Sequence, residues 1–353
     1  QQVSEGGRSN LRRPVEWQDT THPYDELPEV LQQKLSIQHD LVELTSVGAL
    51  VAALGRSSAE LAEEAEDAQP GTDPSIEIAA FVASRSLALP VPTTTLADDL
   101  LVHDVDWLRE VRDLLADERQ VVFHGPPGTG KTYLALKLAE FLAGAPERVK
   151  LVQFHPSYSY EDFFEGFRPQ EDEQTKAVAF RITGGPLREL ADVASLEVNQ
   201  HLPYFLVIDE MNRANLAKVF GELYFLLEYR NRSVRLTYSG DDFALPPNLF
   251  IIGTMNTADR SIALLDSAMR RRFAFVELSP RTEPTSGLLR RWLTAKGHGH
   301  EPADLLDALN RRITDPEFHI GPSYLMKKGG SRDGGLDRAW RTKILPLLAE
   351  HHY

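Results

Sequence analysis

One octapeptide constrains this chain more than any other feature: Gly125-Pro126-Pro127-Gly128-Thr129-Gly130-Lys131-Thr132, a G-x-x-x-x-G-K-[ST] loop. It follows the apolar run Val121-Val122-Phe123 and opens a stretch, 131–143, that reads as helix. A phosphate-binding loop requires that strand-to-helix setting. Its glycines let the backbone curl until several N–H groups and the helix N-terminus face one anion. In such a loop Lys131 reaches the β and γ phosphates and Thr132 holds Mg²⁺, so all eight residues are candidate nucleotide ligands.

From residue 97 onward, helical stretches alternate with short apolar runs, the sequence appearance of a parallel sheet covered on both faces. The expected strands are 120–124, 149–154, 203–209, 249–255 and 273–278. Helices are expected at about 97–117, 131–143, 187–198, 214–229 and 261–270, with an inserted hairpin from Ser233 to Leu245. After Pro280 three apolar clusters take helical spacing: Leu288, Leu289, Trp292; Leu305, Leu306, Leu309, Ile313; and Trp340, Ile344, Leu347, Leu348. The fold class is therefore α/β, a five-stranded parallel sheet flanked by helices, plus a small C-terminal helical lid.

The pair Pro90 and Pro92 interrupts any helix upstream of this pattern. It sets the expected division: an N-terminal, partly helical region with an acidic linker over 1–95, an α/β nucleotide-binding domain over 96–280, and the lid over 281–353. Within the first part, 24–66 reads as helical, and Glu60, Glu63, Glu64, Glu66 and Asp67 read as a solvated face. The chain starts at Gln1 rather than Met, so it is expected to be a fragment.

Two further strand ends carry chemistry. Tyr204 to Asp209-Glu210 is a buried run ending in two carboxylates, where Asp209 would hold the Mg²⁺ shell and Glu210 would orient the attacking water. Leu249 to Asn256 ends in an amide that serves either as a cap of the next turn or as a sensor of the γ phosphate; beside Asp209-Glu210 the sensor reading prevails. Beyond it stand Asp259-Arg260-Ser261 and then Arg270-Arg271-Arg272-Phe273. On an isolated subunit the three arginines form a solvated patch, whereas in a ring they reach a neighbour's nucleotide as an arginine finger.

Composition excludes other classes. The chain of 353 residues has no cysteine, which removes disulfides and thiolate metal sites and fits a cytoplasmic location. No apolar run is long enough to span a bilayer. A formal net charge of −14 argues against a broad nucleic-acid footprint on this segment.

Four segments go further: Val152 to Pro169, Asp209-Glu-Met-Asn-Arg-Ala-Asn215, Met255-Asn-Thr-Ala-Asp-Arg-Ser261 and Ala268-Met-Arg-Arg-Arg-Phe-Ala-Phe275. They resemble the signature segments of the McrB family, and a weaker likeness runs through His319 to Met326 and Trp340 to Leu348. The resemblance implies an AAA+ GTPase with Mg²⁺ that assembles into a nucleotide-dependent hexameric ring, recruits an McrC-like, nuclease-bearing subunit and, with DNA engaged through the complex, drives DNA translocation or activates that nuclease. It also implies that Asn256 and Asp259 serve hydrolysis and that Arg271 and Arg272 are the inter-subunit arginines. No Asn-Lys-x-Asp guanine motif is present, so GTP rests on the resemblance and ATP stays open. The rivals are a MoxR-like AAA+ ATPase that remodels protein partners and a nucleotide-gated scaffold. The aromatics between His155 and Pro169 are expected to pack the insertion against the sheet in preference to contacting a partner.

Overall fold

The computed structural model describes residues 87–171, 178–258, 267–326 and 334–350. The chain divides into two compact units, Gln1–Glu77 and Ile78–Tyr353, and every described residue lies in the second. The helical stretch and acidic face expected before residue 68 lie outside the described residues.

Helices α1 (Thr94–Leu100) and α2 (Val105–Glu118) lead into β1 (Gln120–Gly125), α3 (Lys131–Ala143) and β2 (Val149–Gln153). Next come α4 (Tyr160–Phe163), the hairpin β3 (Glu165–Glu171) and β4 (Val178–Gly184), α5 (Pro186–Ser195) and β5 (Tyr204–Asp209). Helices α6 (Leu216–Phe220) and α7 (Leu223–Leu226) and the small hairpin β6 (Val234–Arg235) and β7 (Asp242–Phe243) precede β8 (Leu249–Asn256). Helix α8 (Ser267–Arg272) enters β9 (Ala274–Glu277). The lid holds α9 (Leu288–Ala295), α10 (Glu301–Arg312), α11 (Gly335–Ala339), a π-helical turn at Trp340–Ile344 and α12 (Leu345–Glu350).

The main sheet is five-stranded and parallel, in the order β2-β5-β8-β1-β9. Strand β1 lies between β8 and β9 while its successor β2 sits at the far edge, so the winding reverses beside β1. Such a switch point opens a crevice past the carboxyl ends of the strands. Register brings Gly125 opposite Asn256 and Gln153 opposite Asp209.

Alternation along each strand builds two core layers. Val121, Phe123, Phe205, Val207, Phe250 and Ile252 face α2 and α3, packing against Leu108, Leu115 and Leu138. Val122, Leu206, Ile208 and Ile251 face the other layer, with Phe163, Leu190, Phe220 and Leu223. Strands buried on both faces in this way must read as continuous apolar runs. The lid has its own core, in which Leu289, Leu306, Ile313, Ile344 and Leu348 gather with Trp292 and Trp340 at its margin.

The differences from expectation are local. The span 97–117 is two helices: Leu101 adopts φ 56° to cap α1, and the Asp104 carboxylate accepts from the Asp106 N–H to start α2. Gly221, at φ 50°, likewise divides 214–229. The arginines at 270–272 end helix α8, which runs two residues past the expected helix end at 270, and 259–266 lie outside the described residues. Hairpin β3–β4 has no counterpart among the expected elements; Val178, Phe180 and Ile182 alternate along β4, and Pro169 stands in β3 opposite Phe180. Tyr160, Phe163 and Phe164 do pack inward as expected, while Phe167 is exposed on the hairpin.

Candidate nucleotide site

The phosphate loop leaves β1 with Gly125 at φ 146°, Gly128 at 81° and Gly130 at 91°. A Cβ at Gly125 would stand 2.3 Å from the Leu278 carbonyl oxygen, so both the turn and the close approach demand glycine there. The Lys131 ammonium donates to the carbonyls of Gly125 (3.1 Å) and Pro126 (2.8 Å), and the Thr129 hydroxyl also donates to Pro126 (3.1 Å). Those bonds hold a nearly buried cation against the loop.

Opposite lies the end of β5. Asp209 Oδ1 accepts the hydroxyls of Thr132 and of Thr254, each at 2.6 Å. The same Thr254 oxygen accepts the Glu210 N–H at 3.2 Å. Glu210 sits at φ 55°, ψ 41°, a region non-glycine residues seldom occupy and one associated with functional strain. Its carboxylate is clamped from both sides: Asn256 Nδ2 donates to one oxygen at 2.7 Å and Arg213 Nε to the other at 3.0 Å. A cleft of ≈ 240 Å³ is lined by the loop, Asp209, Glu210, Thr254, Asn256 and, from the lid, Ser323.

His124, just before the loop, is held below the ordinary imidazole range. Burial is the main cause; Glu277 opposes it, and Arg270 and Lys131 add to it. Among the described residues no group of three His, Cys, Asp or Glu is placed to hold a metal. The Thr132 hydroxyl and Asp209 carboxylate are hard oxygen donors on one spot, which fits Mg²⁺ completing its shell with phosphate and water.

Comparison with known proteins agrees with this geometry. Residues 120–273 match the AAA domain of the dynein-related subfamily, and residues 301–353 match the alpha-helical lid domain of McrB. The EcoKMcrB subunit of a type IV methyl-directed restriction enzyme from Escherichia coli (strain K12) is 40% identical over 281 residues, 72% of this chain and 58% of that one. The chain belongs to the McrB family. Component YdiS of the type II restriction enzyme BsuMI from Bacillus subtilis (strain 168) is 28% identical over 253 residues, 59% of this chain and 72% of its own length. The chain thus spans little more than half of the McrB relative.

As in any P-loop NTPase of the AAA type, nucleotide chemistry belongs at the end of this sheet. The structure brings the predicted Gly125–Thr132 loop, Asp209, Glu210 and Asn256 around one cleft. Asp259 lies outside the described residues. Arg271 is exposed at the end of α8. Arg272 is occupied within its own subunit: it ion-pairs Glu228 at 2.6 Å and lies 4.4 Å over the Tyr224 ring. Its carbonyl accepts from the buried Gln120 Nε2 at 2.6 Å.

Three site residues had no role in the sequence reading. Thr254 was visible only as a hydroxyl in an apolar strand, and Arg213 only as a cation three residues after Glu210. Ser323 reaches the cleft from the McrB-type lid, a contact that no local pattern announces.

Proposed function

We propose that this chain is the GTP-hydrolysing motor of a McrBC-like restriction complex. The observation that carries it is Glu210, set at a strained strand end between Asn256 and Arg213 and opening onto the phosphate loop. That is the placement of a water-orienting carboxylate in a hydrolase. The relatives are restriction-enzyme components, and the family resemblance extends the reading to DNA and to an McrC-like subunit that carries the nuclease. The working domains are the nucleotide-binding domain over 96–280 and the lid over 281–353, with 1–95 as a separate N-terminal region. Among the described residues no helix is long and apolar enough to cross a membrane, in keeping with a cytoplasmic complex.

In the proposed reaction Lys131 leaves its loop carbonyls for the β and γ phosphates, exchanging neutral acceptors for anions. Thr132 and Asp209 would hold Mg²⁺, and the ion would supply neutralising charge for the transferred phosphoryl group. Glu210 orients the water, and Asn256 keeps that carboxylate aimed and senses the γ phosphate. Asp259 assists hydrolysis by the family resemblance. Arg271 and Arg272 act on the adjacent subunit's nucleotide in a hexameric ring, for which Arg272 must first leave Glu228.

Hydrolysis of GTP and ATP, measured side by side with and without an McrC-like subunit, tests the reading. GTP should be turned over at least about tenfold more efficiently, roughly 1.4 kcal/mol of discrimination. Equal or better ATP turnover would replace it with a MoxR-like ATPase acting on protein partners.

A further inference from the structure

The carbonyls of the phosphate loop are bonded to the lid. The Gly321 N–H donates to the Pro127 carbonyl and the Ser323 N–H to the Gly128 carbonyl, both at 3.0 Å. The fit leaves no room: a Cβ at Gly321 would fall 2.0 Å from the Gly128 carbonyl carbon, and one at Gly128 would fall 2.6 Å from the Tyr324 ring. Gly321 has φ −73°, so glycine is required there by space and not by backbone conformation. Behind this strap, Asn310 of α10 grips the neighbouring residue in both directions. Its Nδ2 donates to the Ile320 carbonyl at 2.9 Å, and its Oδ1 accepts the Ile320 N–H at 2.8 Å. Asn310 and Ile320 are both buried, so these bonds are shielded from competing water.

A continuous path therefore runs from α10 through Asn310 and Ile320 to Gly321 and Ser323, and from there to the phosphate loop. In a trans peptide the carbonyl and the next N–H point in opposite directions. Fixing the Pro127 carbonyl on the lid turns the Gly128 N–H away from the lid, and fixing the Gly128 carbonyl does the same for the Thr129 N–H. An anion nest works through such N–H groups, and an inward carbonyl would repel the phosphate.

We propose that Asn310 and Gly321 are positioning residues for phosphate binding, acting through the Gly321–Tyr324 strap on the peptide planes of the loop. The lid then orders the loop before nucleotide arrives, which removes part of the ordering cost of binding. This rests on nucleotide binding by the loop and not on guanine preference.

The test is equilibrium binding of fluorescent GDP, fluorescent ADP and their non-hydrolysable triphosphate analogues to the full chain, alongside its thermal unfolding without nucleotide. Asn310→Ala and Gly321→Ala should each weaken the preferred diphosphate and triphosphate together by about tenfold, the scale of a lost preorganising contact. Leu305→Ala, on the exposed side of α10, should bind as the unchanged chain does. Gly321→Ala forces the strap off the loop backbone, so its nucleotide-free melting temperature should fall by a few degrees, and the nucleotide-induced rise should shrink in addition. Binding within twofold of the unchanged chain in a folded Gly321→Ala protein would overturn the proposal, as would a loss confined to the triphosphate. A preference for ADP over GDP would sink the guanine reading and leave the strap intact.

Discussion

Thr254 offers the sharpest test of the site, because a single oxygen holds both carboxylate residues in place. It donates to Asp209 at 2.6 Å and accepts the Glu210 N–H at 3.2 Å, and the residue is 2% exposed. Thr254→Val keeps the shape and removes only the hydroxyl. A hydrogen bond to a charged group is worth about 1.5–3 kcal/mol, and a stranded N–H costs about 1–3 kcal/mol. Asp209 keeps the Thr132 hydroxyl and is half-buried, so the low end of the sum of the two applies, about 2.5–3 kcal/mol. For a unit of this size each kcal/mol lowers the melting temperature by about 2–4 °C, giving a fall of about 5–10 °C. Glu210 also loses the bond that fixes its left-handed backbone, and misplacing a catalytic group by about 1 Å costs about a hundredfold in rate. Thermal unfolding and steady-state hydrolysis read the two effects, and Thr254→Ser should recover most of both. A valine variant that melts and hydrolyses normally would refute the reasoning, as would a serine variant as impaired as valine.

Glu210→Gln should retain nucleotide and Mg²⁺ binding while losing on the order of a hundredfold in turnover, as general-base deletions do; normal turnover would remove Glu210 from the chemistry. Lys131→Ala should instead lose binding, which the same fluorescent nucleotides measure. A subunit carrying Arg271→Ala and Arg272→Ala should lose about 10³ in turnover and regain activity when mixed with Glu210→Gln subunits, since some composite sites then hold every part. A mixture as inactive as either variant, with assembly intact, would return both arginines to a structural role consistent with the Glu228 pairing. Burial is the leading cause that holds His124 and His319 below the ordinary imidazole range, so the folded unit binds fewer protons than the unfolded chain. Stability should be fully present above about pH 6.5 and fall as the pH drops below it toward the folded values. His319→Phe should flatten that slope in melts between pH 7.5 and 5.5; an unchanged slope for His319→Phe would exclude this histidine as its source.

The residues proposed to meet phosphate and water were legible in the sequence because their chemistry is local. A loop that curls around an anion needs its glycines, lysine and threonine in consecutive places, and a parallel strand buried on both faces shows as an apolar run whose end is marked by Asp209, Glu210 or Asn256. The same runs sufficed for the five-stranded sheet and the lid clusters. Hairpin β3–β4 was not legible, because Phe167, Phe180 and Ile182 lie on an exposed face and burial placed no demand on their pattern.

What holds the site in its working shape was decided by tertiary structure alone. Thr254 matters because β8 lies beside β5, and strand order is not written along the chain. Arg272 reads as one of three equivalent arginines until Tyr224 of α7, Glu228 in the turn after it and Gln120 of β1 converge on it. The hold of Gly321 and Ser323 on the phosphate loop joins segments nearly two hundred residues apart through backbone groups. Every residue other than proline carries the same N–H, so side-chain identity can mark where such a bond is permitted, as glycine does at 321, but only the folded chain supplies its partner.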